Sequence, residues 1–228
     1  MDYTFQFAPL LNYWQQFVSG FWLTIALSFV GSFGGIALGI ACAVVSTLTF
    51  RQPRLLVRVY VEVMRNTPLL VQIFVIFFGL PNIGIRLSPL TSVFIALVLN
   101  NGGYVTEIVR GGIQATHRSQ IEAAESLGLG YFQTLRFIIL PPALEKVFTP
   151  VVSQCVLLML STSLVSAIGV EDLTGAAMIA SSETFRTMEV YLVIAVIYVL
   201  LNFVFRAVLN ASGLLIFTRS RRRLLGRA

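Results

Sequence analysis

From Tyr3 to Phe50 the chain carries no Asp, Glu, Lys or Arg. Crossing about 30 Å of hydrocarbon takes about 20 mostly apolar residues at about 1.5 Å each. This run is more than one helix needs. Its early part, Leu10 to Phe17, mixes aromatics with amides and reads as an interfacial segment, which places span one at about Phe21 to Leu48. Four further uncharged runs follow: Thr67 to Ile85, Leu87 to Thr106, Val147 to Val170, and Val190 to Phe205 with a continuation past Arg206. Arg86 alone separates the second and third, so Leu80 to Pro89 holds a tight external turn. The expected fold is an all-α integral membrane protein with five transmembrane helices.

Composition agrees with the runs. Charged residues make up 11% of the 228, less than half of the roughly 25% usual for a soluble domain. The 57% hydrophobic content excludes intrinsic disorder, which needs few apolar residues and much charge. A net charge of +6 raises the question of a nucleic-acid partner, but the basic residues sit at the ends of apolar runs rather than on one polar surface. They act as topology signals, and no nucleic acid is expected. Met1-Asp2-Tyr3-Thr4 lacks the basic start of a signal peptide, so no cleaved leader is expected.

Five spans put the termini on opposite sides. With the amino terminus outside, the outer segments hold Arg86 and Arg186 against Asp2, Glu171, Asp172, Glu183 and Glu189, a net of −3. The inner side then holds the other 14 basic and 5 acidic residues, a net of +9, with clusters at Arg51 to Arg58 and Arg219 to Arg227. The positive-inside rule selects this orientation. The whole chain, 1–228, reads as one transmembrane domain with an organised cytoplasmic loop at about 110–146. Two short helices, Gln120 to Leu127 and Tyr131 to Ile139, are expected there, meeting at a corner set by Gly128-Leu129-Gly130.

Little in the sequence points to catalysis. The sole histidine, His117, has no Cys or second His nearby, and Cys42 and Cys155 lie far apart in apolar runs. The only lysine, Lys146, is not preceded by a glycine-rich phosphate loop, and neither GxSxG nor HExxH occurs. The chain therefore has no ATPase site of that kind, and no metal or cofactor of its own is expected.

Polar residues at membrane depth are the remaining candidates, because burying them is costly. Glu62 with Arg65, and Glu107 with Arg110, stand three apart and read as locally neutralised pairs or as functional charges. Ser161, Thr162 and Ser163 interrupt the fourth span, where hydroxyls can bond their own helix or face a substrate. Asn100 and Asn101, followed by Gly102-Gly103, suggest a helix lining a wet cavity. Gly31, Gly35 and Gly39 form a small-residue face suited to close helix packing.

The loop carries a longer pattern. Glu122-Ala123-Ala124, three residues, Gly128, nine residues, then Ile138-Ile139-Leu140-Pro141 resembles the EAA loop of ABC importer membrane subunits. Arg65-Asn66-Thr67-Pro68-Leu69-Leu70-Val71-Gln72 and Glu107-Ile108-Val109-Arg110-Gly111-Gly112-Ile113 are similar to the permeases for polar amino acids of the histidine, glutamine, glutamate, arginine and opine types. Departures are Asn66 and Ser119, each where the family usually has Gly, and Leu160-Ser161 in place of a Lys-Asp-like pair.

The resemblance implies a type I ABC importer transmembrane-domain fold in a bacterial inner membrane. It implies three kinds of partner: a cytoplasmic ABC ATPase that binds the ATP and Mg, a second identical or homologous permease subunit, and a periplasmic or extracellular amino-acid-binding protein. Glu122, Ala123, Ala124, Gly128, Leu140 and Pro141 would couple the spans to the ATPase. Gln72, Asn100, Asn101, Ser161, Thr162 and Ser163 are the candidates along the substrate path. A membrane enzyme or channel working alone is the competing reading.

Overall fold

The computed structural model describes residues 4–216; Asp2 and the basic cluster Arg219 to Arg227 lie outside them. Among the described residues, four helical rods are long and apolar enough to cross a bilayer: Ala8–Val45, Pro89–Gln114, Tyr131–Ile168 and Thr187–Gly213. A fifth is broken. Helix α2 (Arg51–Asn66) meets the rod Leu69–Ile83, which begins with α3 (Leu69–Phe74), at 113°. The break follows from Pro68, whose ring pushes the preceding residue out of the helical region; Thr67 has φ −118° and ψ 141°.

Helix α1 (Trp14–Val45) and α4 (Pro89–Gln114) form the central pair. Lipid tails give helices no hydrophobic drive toward each other, so small residues that allow close approach decide which faces meet. The glycine face expected of span one does this. A Cβ on Gly35 would lie 2.5 Å from Asn101 Nδ2, and one on Gly39 would lie 2.6 Å from Val105 Cβ. Gly102 sits where α1 and α2 both approach α4, facing Leu38 and Tyr60, and Gly103 faces Met64 of α2. These two glycines admit α2 across α4.

The connection between α4 and the fourth span consists of α5 (Arg118–Ser126) and α6 (Tyr131–Gln133). The expected second short helix is not a separate one. It passes through a π-helical turn, Thr134–Ile139, into α7 (Leu140–Ser161), so span four begins at Tyr131 rather than near Val147. Pro141 and Pro142 open α7, where missing N–H groups are tolerated, and the carbonyls left without donors one turn earlier coincide with the widened turn. Span four then tightens into a 3-10 stretch, Thr162–Ile168, that ends at left-handed Gly169.

Two features were not anticipated: a helix between the fourth and fifth spans, and the seating of the N-terminal segment on span five. Helix α8 (Leu173–Thr184) occupies part of what reads as a polar external segment, and its small residues Gly175, Ala176, Ala177 and Ala180 are buried. Asp172 caps it by accepting from Gly175 N at 2.9 Å, and Gly20 of α1 packs directly against the Asp172 carbonyl. Helix α9 (Thr187–Ile216) completes span five. Glu189 in its first turn is fully buried and accepts from Gln6 N at 3.1 Å, while Arg186 donates to Thr4 O at 3.2 Å. The N-terminal segment is strapped across the outer end of α9.

Candidate functional site

The loop between α4 and α7 is built by local rules. His117 starts α5 by accepting from Ser119 N, and Arg118 pairs with Glu122 one turn on at 2.9 Å. Within the Glu122-Ala123-Ala124 turn, Ala124 is buried at 3% exposure, while Glu122 and Glu125 face outward. The helix ends in a paired closure: Leu129 N donates to Ala124 O at 3.1 Å and Gly128 N to Glu125 O at 2.9 Å. That closure needs a left-handed residue, and Gly128 supplies it at φ +76°. Gly130 N donates to Gln133 Oε1 at 3.0 Å and starts the next limb.

The resulting corner exposes apolar groups that a water-facing loop has no reason to show. Leu127 is 80% exposed, Phe132 70% and Phe137 64%. Tyr131 OH donates to Thr47 O at 2.7 Å, which ties the corner to the cytoplasmic end of α1. Leu140 and Pro141 stand at the start of α7, immediately after the π turn. At the same level, Gly112 lets α4 meet α7, because a Cβ there would lie 2.5 Å from Val147 Cγ1.

The membrane-depth polar residues divide into two groups. Gln72 and Asn100 clamp the break in span two: Gln72 Nε2 donates to Met64 O at 3.0 Å and to Thr67 O at 3.1 Å, and its Oε1 accepts from Asn100 Nδ2 at 3.1 Å. Asn101 bridges α4 to α1 through Gly31 O at 3.3 Å and Ser32 O at 3.4 Å. Both asparagines therefore donate to protein oxygens on neighbouring elements. Asn101 Oδ1 and the neighbouring Ser32 Oγ are left buried without a partner.

Ser161, Thr162 and Ser163 bond their own helix, to Leu157 O, Met159 O and Leu160 O. Thr162 is buried; Ser161 and Ser163 are half-buried at the point where span four narrows. The narrowed stretch packs on α3, with Val165 and Ile73 in one apolar cluster. The irregular points of spans two and four are thus brought side by side. Sequence reasoning placed polar residues at both points but did not foresee the break or the contact.

The charged pairs are rearranged. Glu107 receives Arg110 through both Nε, at 3.0 Å, and Nη2, as its spacing suggests, and also lies 3.9 Å from Arg65 Nη1. Glu62 does not pair with Arg65; its Oε2 accepts from Asn66 Nδ2 at 2.9 Å. The i,i+3 expectation fails because Arg65 points toward α4, where its guanidinium also lies over the Tyr104 ring. Spans two and three share one carboxylate between two arginines.

Comparison with known proteins gives consistent matches. Residues 35–213 match the family model described as binding-protein-dependent transport system inner membrane component. The chain is 35% identical over 193 residues to the probable glutamine ABC transporter permease protein GlnM of Bacillus subtilis (strain 168), covering 85% of this chain and 89% of the relative. It is 31% identical over 195 residues to the glutamine transport system permease protein GlnP of Escherichia coli (strain K12), covering 85% and 89%. Among solved structures, an amino acid ABC transporter crystallised with histidines superposes with TM-score 0.84 at 34% identity, covering 92% of this chain and 99% of that one. The MetNI methionine ABC transporter in an inward-facing form gives 0.74 at 19% identity, over 89% and 97%, a likeness of fold alone.

Proposed function

The chain belongs to the family of binding-protein-dependent transport system inner membrane components, as a multi-pass permease subunit and not itself an ATPase, and from this we propose that it carries a polar amino acid inward, glutamine being the first candidate. GlnM and GlnP, its relatives at 35% and 31% identity, are named for glutamine, and the histidine-bearing transporter of like fold widens the class to polar amino acids. The chain has one coupling corner and five spans. Two such subunits, identical or homologous, with two ATPases and an external binding protein form the working assembly.

The observation that carries the coupling role is the corner itself. A glycine-closed turn presents Leu127, Phe132 and Phe137 to the cytoplasmic side, flanked by Glu122 and Glu125. Apolar groups rimmed by charge fit a protein groove, here that of the ATPase that binds ATP and Mg. Closing of the ATPase pair draws two such corners together and turns the path outward, and hydrolysis resets it. The path runs where spans two and four lose regular helix, beside Gln72, Ser161 and Ser163, with Asn100, Asn101 and Thr162 holding that framework.

Proteoliposomes containing this chain, its cognate ATPase and binding protein should take up labelled glutamine against a gradient only with ATP inside. Uphill uptake by the chain without an ATPase would overturn the reading. If labelled histidine or arginine competes fully and glutamine does not, the substrate assignment fails while the importer assignment stands. A thiol probe at Leu127→Cys should react only from the cytoplasmic side, which checks the amino-outside topology.

A further inference from the structure

The charged stripe of α2 faces a cavity of about 900 Å³ between α2 and the cytoplasmic ends of α1 and α4. Arg51, Arg54, Arg58, Glu62 and Arg65 line it from one helix, at the three- and four-residue spacing that keeps them on one face. The acids do not balance the bases. Glu107, on the α4 wall, is already held by Arg110 and Arg65, and Glu62 is engaged by Asn66. Among the described residues, no carboxylate lies within ion-pair distance of Arg51, Arg54 or Arg58; Arg54 reaches only Thr49 O, at 3.5 Å.

An apolar row leads out of the same cavity. Leu55 lines it, and Val59 and Val63 follow at four-residue steps, exposed by 60%, 54% and 47%. The opposite side of α2 is spent on packing, with Tyr60 bonded to Leu99 O at 2.7 Å and Met64 against Gly103. A basic stripe beside an apolar row is how a helix sits at the boundary between headgroups and acyl chains. Guanidinium forks match phosphate oxygens in pairs, and the inner leaflet offers anionic lipid at that depth.

We propose that this cavity holds the phosphate group of an anionic phospholipid, with acyl chains running along Leu55, Val59 and Val63. A soluble phosphate would satisfy the arginines but leave the apolar row uncovered. The site borders the coupling corner only through Thr47, whose carbonyl accepts from Tyr131, and it rests on the amino-outside topology proposed above only for which leaflet supplies the lipid.

The test uses the transporter assembled with its ATPase in a neutral detergent, with bound lipid read by native mass spectrometry. Phosphatidylglycerol should be retained over phosphatidylcholine. Each arginine near the headgroup is worth about fivefold in binding, so R51Q/R54Q/R58Q should lose it by about a hundredfold. R51K/R54K/R58K should keep most of it, which separates charge from folding, and R86Q on the outer side should keep all of it. Equal phosphatidylglycerol on wild type and the glutamine variant overturns the proposal. Displacement by inorganic phosphate at comparable concentration also overturns it, in favour of a soluble anion. Because this measurement needs no transport, a negative result beside normal uptake removes the lipid site and leaves the importer assignment intact.

Discussion

Asn100 Nδ2 lies 3.1 Å from Gln72 Oε1, and this hydrogen bond, with a longer one from the same Nδ2 to Met64 O at 3.4 Å, joins α4 to the break between the two halves of span two. Pro68 opens the break, and the amide pair holds it in one geometry, since Gln72 also donates to Met64 and Thr67 on its near side. The bond sits where water is scarce, so removing Asn100 takes the donor from Gln72 Oε1, and removing Gln72 leaves Asn100 Nδ2 only the longer bond to Met64 O.

Asn100→Leu and Gln72→Met should therefore each lower the thermal stability of the purified subunit, by about 1–3 kcal/mol. The double variant should cost less than the two single ones added together, because the bond between the two amides is counted in both. Full additivity in a double-mutant cycle would show that the two amides act independently.

Gly128 has open space around the position of a Cβ, so its requirement is one of backbone conformation and not of room. Gly128→Ala should cost about 1–2 kcal/mol locally, Gly128→Asn less, because Asn tolerates left-handed backbone. Gly128→Asp adds a charge to the partner-facing corner. It should leave membrane levels normal while abolishing ATPase association and uptake. Wild-type uptake by Gly128→Asp would mean the corner is not the coupling element.

Two glycines of α1 and α4 should respond oppositely to alanine. Gly111 has nothing near its Cβ position, so Gly111→Ala should stabilise the helix by up to about 1 kcal/mol. Gly35→Ala drives a methyl into Asn101 and should destabilise by about 1–3 kcal/mol. Thermal unfolding of both variants decides this; the same sign for both would contradict the packing of α1 on α4.

Burial pushes the Asp172 carboxyl above its ordinary value, although Gly175 N and Tyr198 OH at 3.3 Å partly offset this. A carboxyl whose folded pKa is raised contributes most when protonated, so its contribution is present below the unfolded value and is lost as pH rises through the folded one. Wild-type melting temperature should fall across that window relative to Asp172→Asn, which lacks the titration. Asp172→Ala removes the cap on α8 and should cost about 1 kcal/mol below that window and less as pH rises through it. Parallel profiles for wild type and Asp172→Asn would exclude the linkage.

The features legible in the sequence were those with local causes. Charge-free runs located the spans, Gly128 located the corner, and Gly31, Gly35 and Gly39 identified the packing face of α1. What stayed hidden depended on tertiary partners. Arg65 sits three residues from Glu62, yet it turns to Glu107 because α2 crosses α4, a geometry that no spacing within α2 encodes. Glu189 reads as an external solvent residue, but the N-terminal segment folds over it. Helix α8 was missed because its Asp172 cap looks like loop polarity; the following run of Gly and Ala was the available signal for a buried face. Gln72 and Asn100 stood out as polar in an apolar run, though their pairing across 28 positions could not be read.

Tyr131 begins the same rod that ends at Ile168, a rod of 38 residues, about 57 Å if it were fully α-helical. The glycine-closed corner is thus one end of a crank whose far end is the narrowed stretch beside α3. Thr134–Ile139 winds wider than an α-helix and Thr162–Ile168 winds tighter. A register shift that turns a little of both stretches into α-helix, lengthening the first and shortening the second, would slide the middle of the crank along its axis while both ends keep their neighbours. A push on the corner then arrives at Ser161 and Ser163 as translation along the rod.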